Sequence, residues 1–246
     1  MVEAIPEVNI APYLADPTSA NTVIQNIYDA ASNWGFFILS GTHVSPNQQN
    51  ALVKSAKQFF SLPMDTKMAY DVSNGGVAWR GYMPLGGENT HGRRDWKEGL
   101  YIGPEQDDDH RLSGKPLHGR NQYPDDILPD MRHNILTYVE QVSDLGKILT
   151  DILSLSLGLE RNELRCTWLE PEPIVLFRCF KYPPISAEKV DSAEYQHASH
   201  SFGIGKHTDF GYLTILKADS PGLQVRSSYT SEDWKGINRL PGPLAI

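Results

Sequence analysis

The run Gly203-Ile204-Gly205-Lys206-His207-Thr208-Asp209-Phe210-Gly211-Tyr212-Leu213-Thr214-Ile215-Leu216 constrains the fold more than any other stretch of the chain. Two glycines lead into β-branched and aromatic residues, which is a strand signal, and the surrounding part of the chain is therefore expected to be β. In a strand, residues two apart share a face. His207 and Asp209 would then project together, with Thr208 and Phe210 on the opposite face. An imidazole nitrogen and a carboxylate oxygen are two of the three ligands of a facial triad for non-haem Fe(II), whose remaining positions stay open for substrate and dioxygen. The third ligand has to come from elsewhere.

The N-terminal half reads differently. Ile5 to Leu14, with Pro6 and Pro12, predicts a short edge strand and turn. Thr18 and Ser19 are expected to cap a helix with Val23, Ile24, Ile27, Ala30 and Ala31 on its apolar face. Trp34-Gly35-Phe36-Phe37-Ile38-Leu39 reads as a turn entering a buried strand, and Ser45-Pro46 as the start of a second helix. Pro63 opens a shorter one. Between Ser73 and Gly103 the chain is glycine-rich and aromatic, with strands expected at Trp79–Tyr82 and Asp95–Ile102. Pro129 opens the longest helix, whose apolar face runs from Ile135 to Leu153 and which ends near Gly158. Pro173 to Tyr182 is an apolar strand stopped by Pro183-Pro184; Ile185 to Ser201 is a polar loop. Leu223–Val225 and the segment from Trp234 to Ile246 supply further short strands. Early helices and late short strands predict an α+β protein with a β-sandwich or barrel in its C-terminal part.

The formal net charge of −8 over 246 residues argues against nucleic acid as a partner, because phosphates call for a basic face. No stretch is apolar enough to span a bilayer and the N-terminus lacks a signal-peptide pattern, so a soluble cytoplasmic protein is expected. Cys166 and Cys179, the two cysteines of the sequence, form no disulfide framework and read as buried packing residues.

The chain resembles the iron- and 2-oxoglutarate-dependent dioxygenases of the isopenicillin N synthase type. The resemblance rests on the ordered succession of Trp34-Gly35-Phe36-Phe37, Arg80-Gly81-Tyr82, Asp95-Trp96-Lys97-Glu98-Gly99, Tyr182-Pro183-Pro184, Gly203 to Asp209, Gly222-Leu223-Gln224-Val225 and Leu240-Pro241-Gly242. It implies a double-stranded β-helix, or jelly roll, carried on an N-terminal helical region. Residues 1–120 would be the N-terminal non-haem dioxygenase region, 121–172 the helical support of the core, and 173–246 the β-helix part. It further implies His207 and Asp209 as iron ligands and Tyr182 as a contact for 2-oxoglutarate. No catalytic residue beyond the metal ligands is implied. The expected chemistry is hydroxylation, desaturation or ring closure of a small molecule with dioxygen and 2-oxoglutarate.

The family's second histidine ligand and its later Arg-x-Ser pair fall beyond Ile246, so the resemblance implies an incomplete β-helix, truncated before both. Arg226-Ser227-Ser228 has the letters of that pair but precedes the Pro-Gly segment and lies in the wrong strand. A catalytically silent, truncated form that binds at most a partner is the alternative. His197 and His200 could loop back as substitute ligands, and Arg80, Tyr82, Trp96 and Lys97 could line a substrate pocket. A Ser201, His207 and Asp209 hydrolase triad is disfavoured, because neighbours on one strand do not form a relay of nucleophile, base and orienter.

Overall fold

The computed structural model describes residues 5–184, 203–209, 211–226, 235–237 and 244–245. In chain order the elements begin with strand β1 (Glu7–Asn9), helices α1 (Ala11–Ala15) and α2 (Asn21–Asn33), and strand β2 (Phe37–Ser40). Helices α3 (Pro46–Phe60) and α4 (Met64–Met68) precede a 3-10 turn at Val72–Ala78 and strands β3 (Gly81–Met83), β4 (Asn89–Thr90), β5 (Arg93–Arg94) and β6 (Glu98–Ile102). Helices α5 (Met131–Ser156) and α6 (Glu163–Trp168) then lead to β7 (Phe177–Lys181), β8 (Ile215–Leu216), β9 (Leu223–Val225), β10 (Lys235–Ile237) and β11 (Leu244–Ala245). The chain is thus mixed α and β, and none of its described helices is long and apolar enough to cross a membrane.

Two compact units interleave along the sequence. The first comprises residues 1–45, 141–173 and 209–246. Its sheet has the order β1-β2-β11-β8, with β1 parallel to β2 and β11 antiparallel to both of its neighbours. Trp34, Phe36 and Val225 form a buried cluster that Ile38, Leu216 and Leu223 pack against. Helix α2 buries Val23, Ile27 and Ala30, the stripe its periodicity predicts. Thr18 and Ser19 do not cap it: Ala20 is the N-cap, while the Thr18 hydroxyl donates to Asp16 Oδ1 at 2.7 Å and Ser19 Oγ to the Asp16 carbonyl at 3.4 Å. The Asp16 carboxylate closes a local turn that competes for those hydroxyls. At the end of α5, Gly158 takes φ +75° and Leu159 N–H donates to the Ser154 carbonyl, so glycine supplies the left-handed residue that ends the helix.

The second unit comprises residues 46–140 and 174–208. Its three-stranded antiparallel sheet runs β3-β6-β7, and all five residues of β6 are buried, including Glu98. Leu100 pairs with Cys179 and Tyr82, and Tyr101 with Arg178 and Gly81. Glu98 carries its charge inside by accepting from Lys67 Nζ and the Tyr82 hydroxyl, each at 2.6 Å, with Lys181 Nζ at 2.9 Å. A buried carboxylate with this many charged and hydroxyl donors is satisfied rather than stranded. Phe59 meets Phe60 and Tyr82 edge-on.

Candidate functional site

Strand β7 presents Phe180, and Tyr182 follows directly after its end, the two ring centroids 6.3 Å apart and edge to face. Gly99 lies opposite Phe180 in the ladder, and a side chain there would meet the Phe180 ring at 2.9 Å, so glycine makes room for it. Over the Phe180 ring sits the ammonium of Lys97, 4.4 Å from its centroid. Lys97 is only 3% exposed and is paired with Glu88 Oε2 at 2.7 Å and Asp95 Oδ2 at 3.0 Å. The Tyr101 hydroxyl donates to Glu88, and Arg178 Nη1 lies 3.7 Å from the same carboxylate. Burial alone would raise the Glu88 pKa, but the bonds from Lys97 and Tyr101 outweigh it and hold this carboxyl below its ordinary value. Tyr101 is raised by burial and by its bond to the ionised Glu88.

Tyr182 is half-exposed, yet desolvation, followed by the negative charges of Asp95 and Glu88, pushes its pKa up to about 12. Against it lies the start of the segment that bears the histidine. A Cβ at position 203 would fall 2.2 Å from Tyr182 Cδ1, and one at 205 would fall 3.1 Å from Thr90 Cγ2. The two glycines therefore let this backbone approach Tyr182 and Thr90 closely, which is the physical reason for glycine at both places. Two residues on, the His207 ring uses Nδ1 to bond the Gly205 carbonyl at 2.9 Å. A carbonyl can only accept, so Nδ1 is the donor in this bond, and in the neutral ring that tautomer leaves the lone pair on Nε2. His207 and Asp209 are both exposed.

The strand expected through His207 and Asp209 is not what forms. Residues 205–209 have no regular secondary structure, and the described part of the predicted run that does enter a sheet is Ile215–Leu216, paired with Leu244–Ala245. The alternation that would place the two side chains on one strand face therefore does not operate; this segment follows the close packing of its glycines. Arg80, Tyr82, Trp96 and Lys97 are all buried, which removes them as an exposed pocket lining. Arg80 is fully buried, with Nη2 donating to the Leu117 carbonyl at 2.7 Å. Cys166 is exposed, contrary to the packing role expected of it, because α6 buries none of its residues. His197, His200 and Ser201 lie outside the described residues. Among the described residues, no group of three or more His, Cys, Asp or Glu could hold a metal ion. Thr90, which meets Gly205, and Asp95 and Glu88, whose charges act on Tyr182, carry no sequence signal of those roles beyond the motif containing Asp95.

Comparison with known proteins bears on what this arrangement serves. A family model described as the N-terminal part of non-haem dioxygenases in morphine synthesis matches residues 5–126. A probable iron/ascorbate oxidoreductase of Dictyostelium discoideum is 36% identical over 243 residues, spanning 92% of this chain and 67% of that relative. A 2-oxoglutarate-dependent dioxygenase of Monascus ruber is 31% identical over 243 residues, spanning 95% of this chain and 70% of the relative. Among solved structures, a 2OG-Fe(II) oxygenase family protein from Caulobacter crescentus superposes with a TM-score of 0.77 at 28% identity, over 99% of this chain and 73% of that one. A full-length Neurospora crassa protein in complex with alpha-KG shares the fold, with a TM-score of 0.78 at 20% identity, over 98% of this chain and 71% of that one.

Proposed function

The chain belongs to the 2OG-Fe(II) oxygenase family, and from that premise we propose that it is an Fe(II)- and 2-oxoglutarate-dependent dioxygenase that oxidises a small molecule by hydroxylation, desaturation or ring closure. His207 and Asp209 are two of its iron ligands, Tyr182 contacts the cosubstrate, and the family's double-stranded β-helix is the architecture in which they work. The observation that carries the reading is the hydrogen bond from His207 Nδ1 to the Gly205 carbonyl. Histidine ligands of metals characteristically donate their second ring N–H to a carbonyl or carboxylate, which fixes the tautomer and raises the basicity of the ligating nitrogen. His207 meets that requirement through its own backbone, and the donor set of imidazole and carboxylate fits ferrous iron.

Iron, when bound, supplies the redox chemistry that couples oxidative decarboxylation of 2-oxoglutarate, to succinate and carbon dioxide, to oxidation of the substrate. The protein's own share is binding and orientation. His207 would offer Nε2 and Asp209 a carboxylate oxygen to the cation. With its pKa pushed up to about 12, the Tyr182 hydroxyl stays protonated at neutral pH and is a hydrogen-bond donor to a carboxylate of the cosubstrate. Relatives share this chemistry in name: the Monascus ruber protein is a 2-oxoglutarate-dependent dioxygenase.

The test measures Fe(II) uptake and release of succinate from 2-oxoglutarate by the purified protein. The proposal expects metal binding and turnover in the wild type, both lost in His207→Ala and Asp209→Ala, and a raised KM for 2-oxoglutarate in Tyr182→Phe. Metal bound equally well by His207→Ala, or no succinate from the wild type with Fe(II) present, overturns it.

A further inference from the structure

The segment that carries His207 has no ladder hydrogen bonds among the described residues to fix it, yet a metal ligand has to be held to within roughly 0.5 Å of its working position. One support for it is the side chain of Thr90, which meets Gly205. Thr90 belongs to a two-strand hairpin, paired with Arg93 across a turn whose central residues, His91 and Gly92, both have left-handed φ. Asp95 N–H donates to the Glu88 carbonyl at 3.0 Å and closes the base of that hairpin. Thr90 is thereby a fixed point. Its methyl faces Gly205, where an added Cβ would stand 3.1 Å from Cγ2 and 3.4 Å from Cβ of Thr90. Its hydroxyl donates to Asp95 Oδ2 at 2.9 Å, and that oxygen is also 3.0 Å from the buried ammonium of Lys97. The carbonyl of Gly205 in turn receives the His207 Nδ1 proton.

We propose that Thr90 is a positioning residue for His207: anchored by the Asp95–Lys97 ion pair, it seats Gly205 so that the Gly205 carbonyl fixes the histidine ring with Nε2 as the metal-facing nitrogen. This rests on the reading of His207 as an iron ligand. Thr90 touches neither metal nor substrate in this role; it acts through Gly205. The two ends of its side chain have separate tasks, the hydroxyl fixing Thr90 to Asp95 and the methyl bearing on the glycine. The ion pair is the stiff part, because Lys97 is held by Glu88 as well and is capped by the face of Phe180.

The experiment uses the full chain with four variants: Thr90→Val, Thr90→Ser, Gly205→Ala and the double variant Gly205→Ala/Thr90→Ser. Two quantities are read: the nitrogen-15 shifts of the His207 ring in metal-free protein, which report its tautomer, and the affinity for Mn(II) as a redox-inert probe of the iron site. Thermal unfolding confirms that each variant is folded. Thr90→Val keeps the branched shape and loses the bond to Asp95; Gly205→Ala drives a methyl against Cγ2. Both should shift the His207 ring toward a mixture of tautomers and weaken Mn(II) by about 10-fold, the low end of losses seen when a ligand's supporting partner is removed. The double variant, which removes the obstructing Cγ2, should recover most of the tautomer signal and of the affinity. Should Gly205→Ala fail to fold, Thr90→Val still decides the matter. An unchanged ring tautomer in folded Thr90→Val and Gly205→Ala overturns the positioning role, even where His207→Ala abolishes Mn(II) binding and the ligand reading survives. If His207→Ala binds Mn(II) normally, the ligand reading falls and the proposal falls with it, since a metal-facing role for Nε2 is part of its claim.

Discussion

Tyr182 and Gly203 are in such close contact that a Cβ at position 203 would stand 2.2 Å from Cδ1, 2.8 Å from Cε1 and 3.3 Å from Cγ of the tyrosine ring. The ring therefore marks where the glycine backbone has to pass. Gly203→Ala should displace one of them at a cost of roughly 1–3 kcal/mol, the range for forcing volume into a packed contact. Combined with Tyr182→Ala the cost should shrink, giving a coupling well beyond the roughly 0.5 kcal/mol within which independent sites add. Urea unfolding of the two single variants and the double variant measures this coupling, and plain additivity would show that the contact does not matter.

Glu98 makes the second unit acid-sensitive. Burial alone would raise its pKa, but the bonds from Lys67, Tyr82 and Lys181 outweigh that and leave the carboxyl below its ordinary value. A carboxyl depressed in the folded state contributes stability that is present above its unfolded pKa of about 4.3 and is lost as pH falls through the lower folded value. The wild type should accordingly lose stability below about pH 4, and Glu98→Gln should show a shallower acid slope. At neutral pH, Glu98→Gln should cost roughly 3–5 kcal/mol, since it leaves the buried Lys67 charge without its partner. Tyr82→Phe, which removes one donor and keeps the ring, should cost about 1–3 kcal/mol. Denaturant titrations at a series of pH values read all three effects, and identical acid slopes in wild type and Glu98→Gln would count against the assignment.

Two glycines with left-handed backbone should respond differently to alanine. Gly81 has φ +130°, and a Cβ there would lie 2.4 Å from the Tyr70 carbonyl oxygen and 3.1 Å from the Asp71 carbonyl carbon, both backbone atoms that cannot swing away. Gly35 has φ +78° with nothing within 4 Å of a built Cβ. Gly35→Ala should cost only the conformational strain, about 1–2 kcal/mol. Gly81→Ala should cost clearly more, and each added kcal/mol should lower the midpoint by roughly 2–4 °C for a chain of this size. Equal melting temperatures for the two variants would contradict the steric argument.

What can be read from the letters divides along physical lines. Helix α5 and strand β7 follow from apolar patterns that local geometry and burial both favour, and they form within the stretches where those patterns lie. The cap pattern before α2 misleads because Asp16, Thr18 and Ser19 satisfy one another in a turn before the helix begins, a competition among polar neighbours that the pattern does not reveal. The segment around His207 has strand-like composition, yet its glycines are there for contacts with Tyr182 and Thr90, residues distant in sequence. Such approach is a property of tertiary packing and leaves only the glycine itself as its trace. The same holds for the pairing of Asp95 with Lys97, two charges that are each 3% exposed and 3.0 Å apart, which the letters alone do not reveal. The pair His207 and Asp209 stands out by chemistry alone, whereas Thr90 can emerge only from the fold.

The two cysteines differ in accessibility and should differ in reactivity. Cys166 is exposed on α6, whereas burial pushes the Cys179 thiol, in β7, up to about 12. Thiolate is the reactive form, so at pH 8 the Cys179 sulfur, in a partly buried residue, has almost none of it in the folded state. A chromogenic disulfide reagent should therefore label one thiol per native chain quickly and a second only after unfolding, and Cys166→Ser should abolish the fast phase. Because β7 leads directly to Tyr182, the slow phase should follow opening of the β3-β6-β7 sheet and accelerate in Glu98→Gln, whose lost ion pairs tie Lys181 of β7 to β6. Two equally fast thiols in the native wild type would show that the strand does not protect the sulfur.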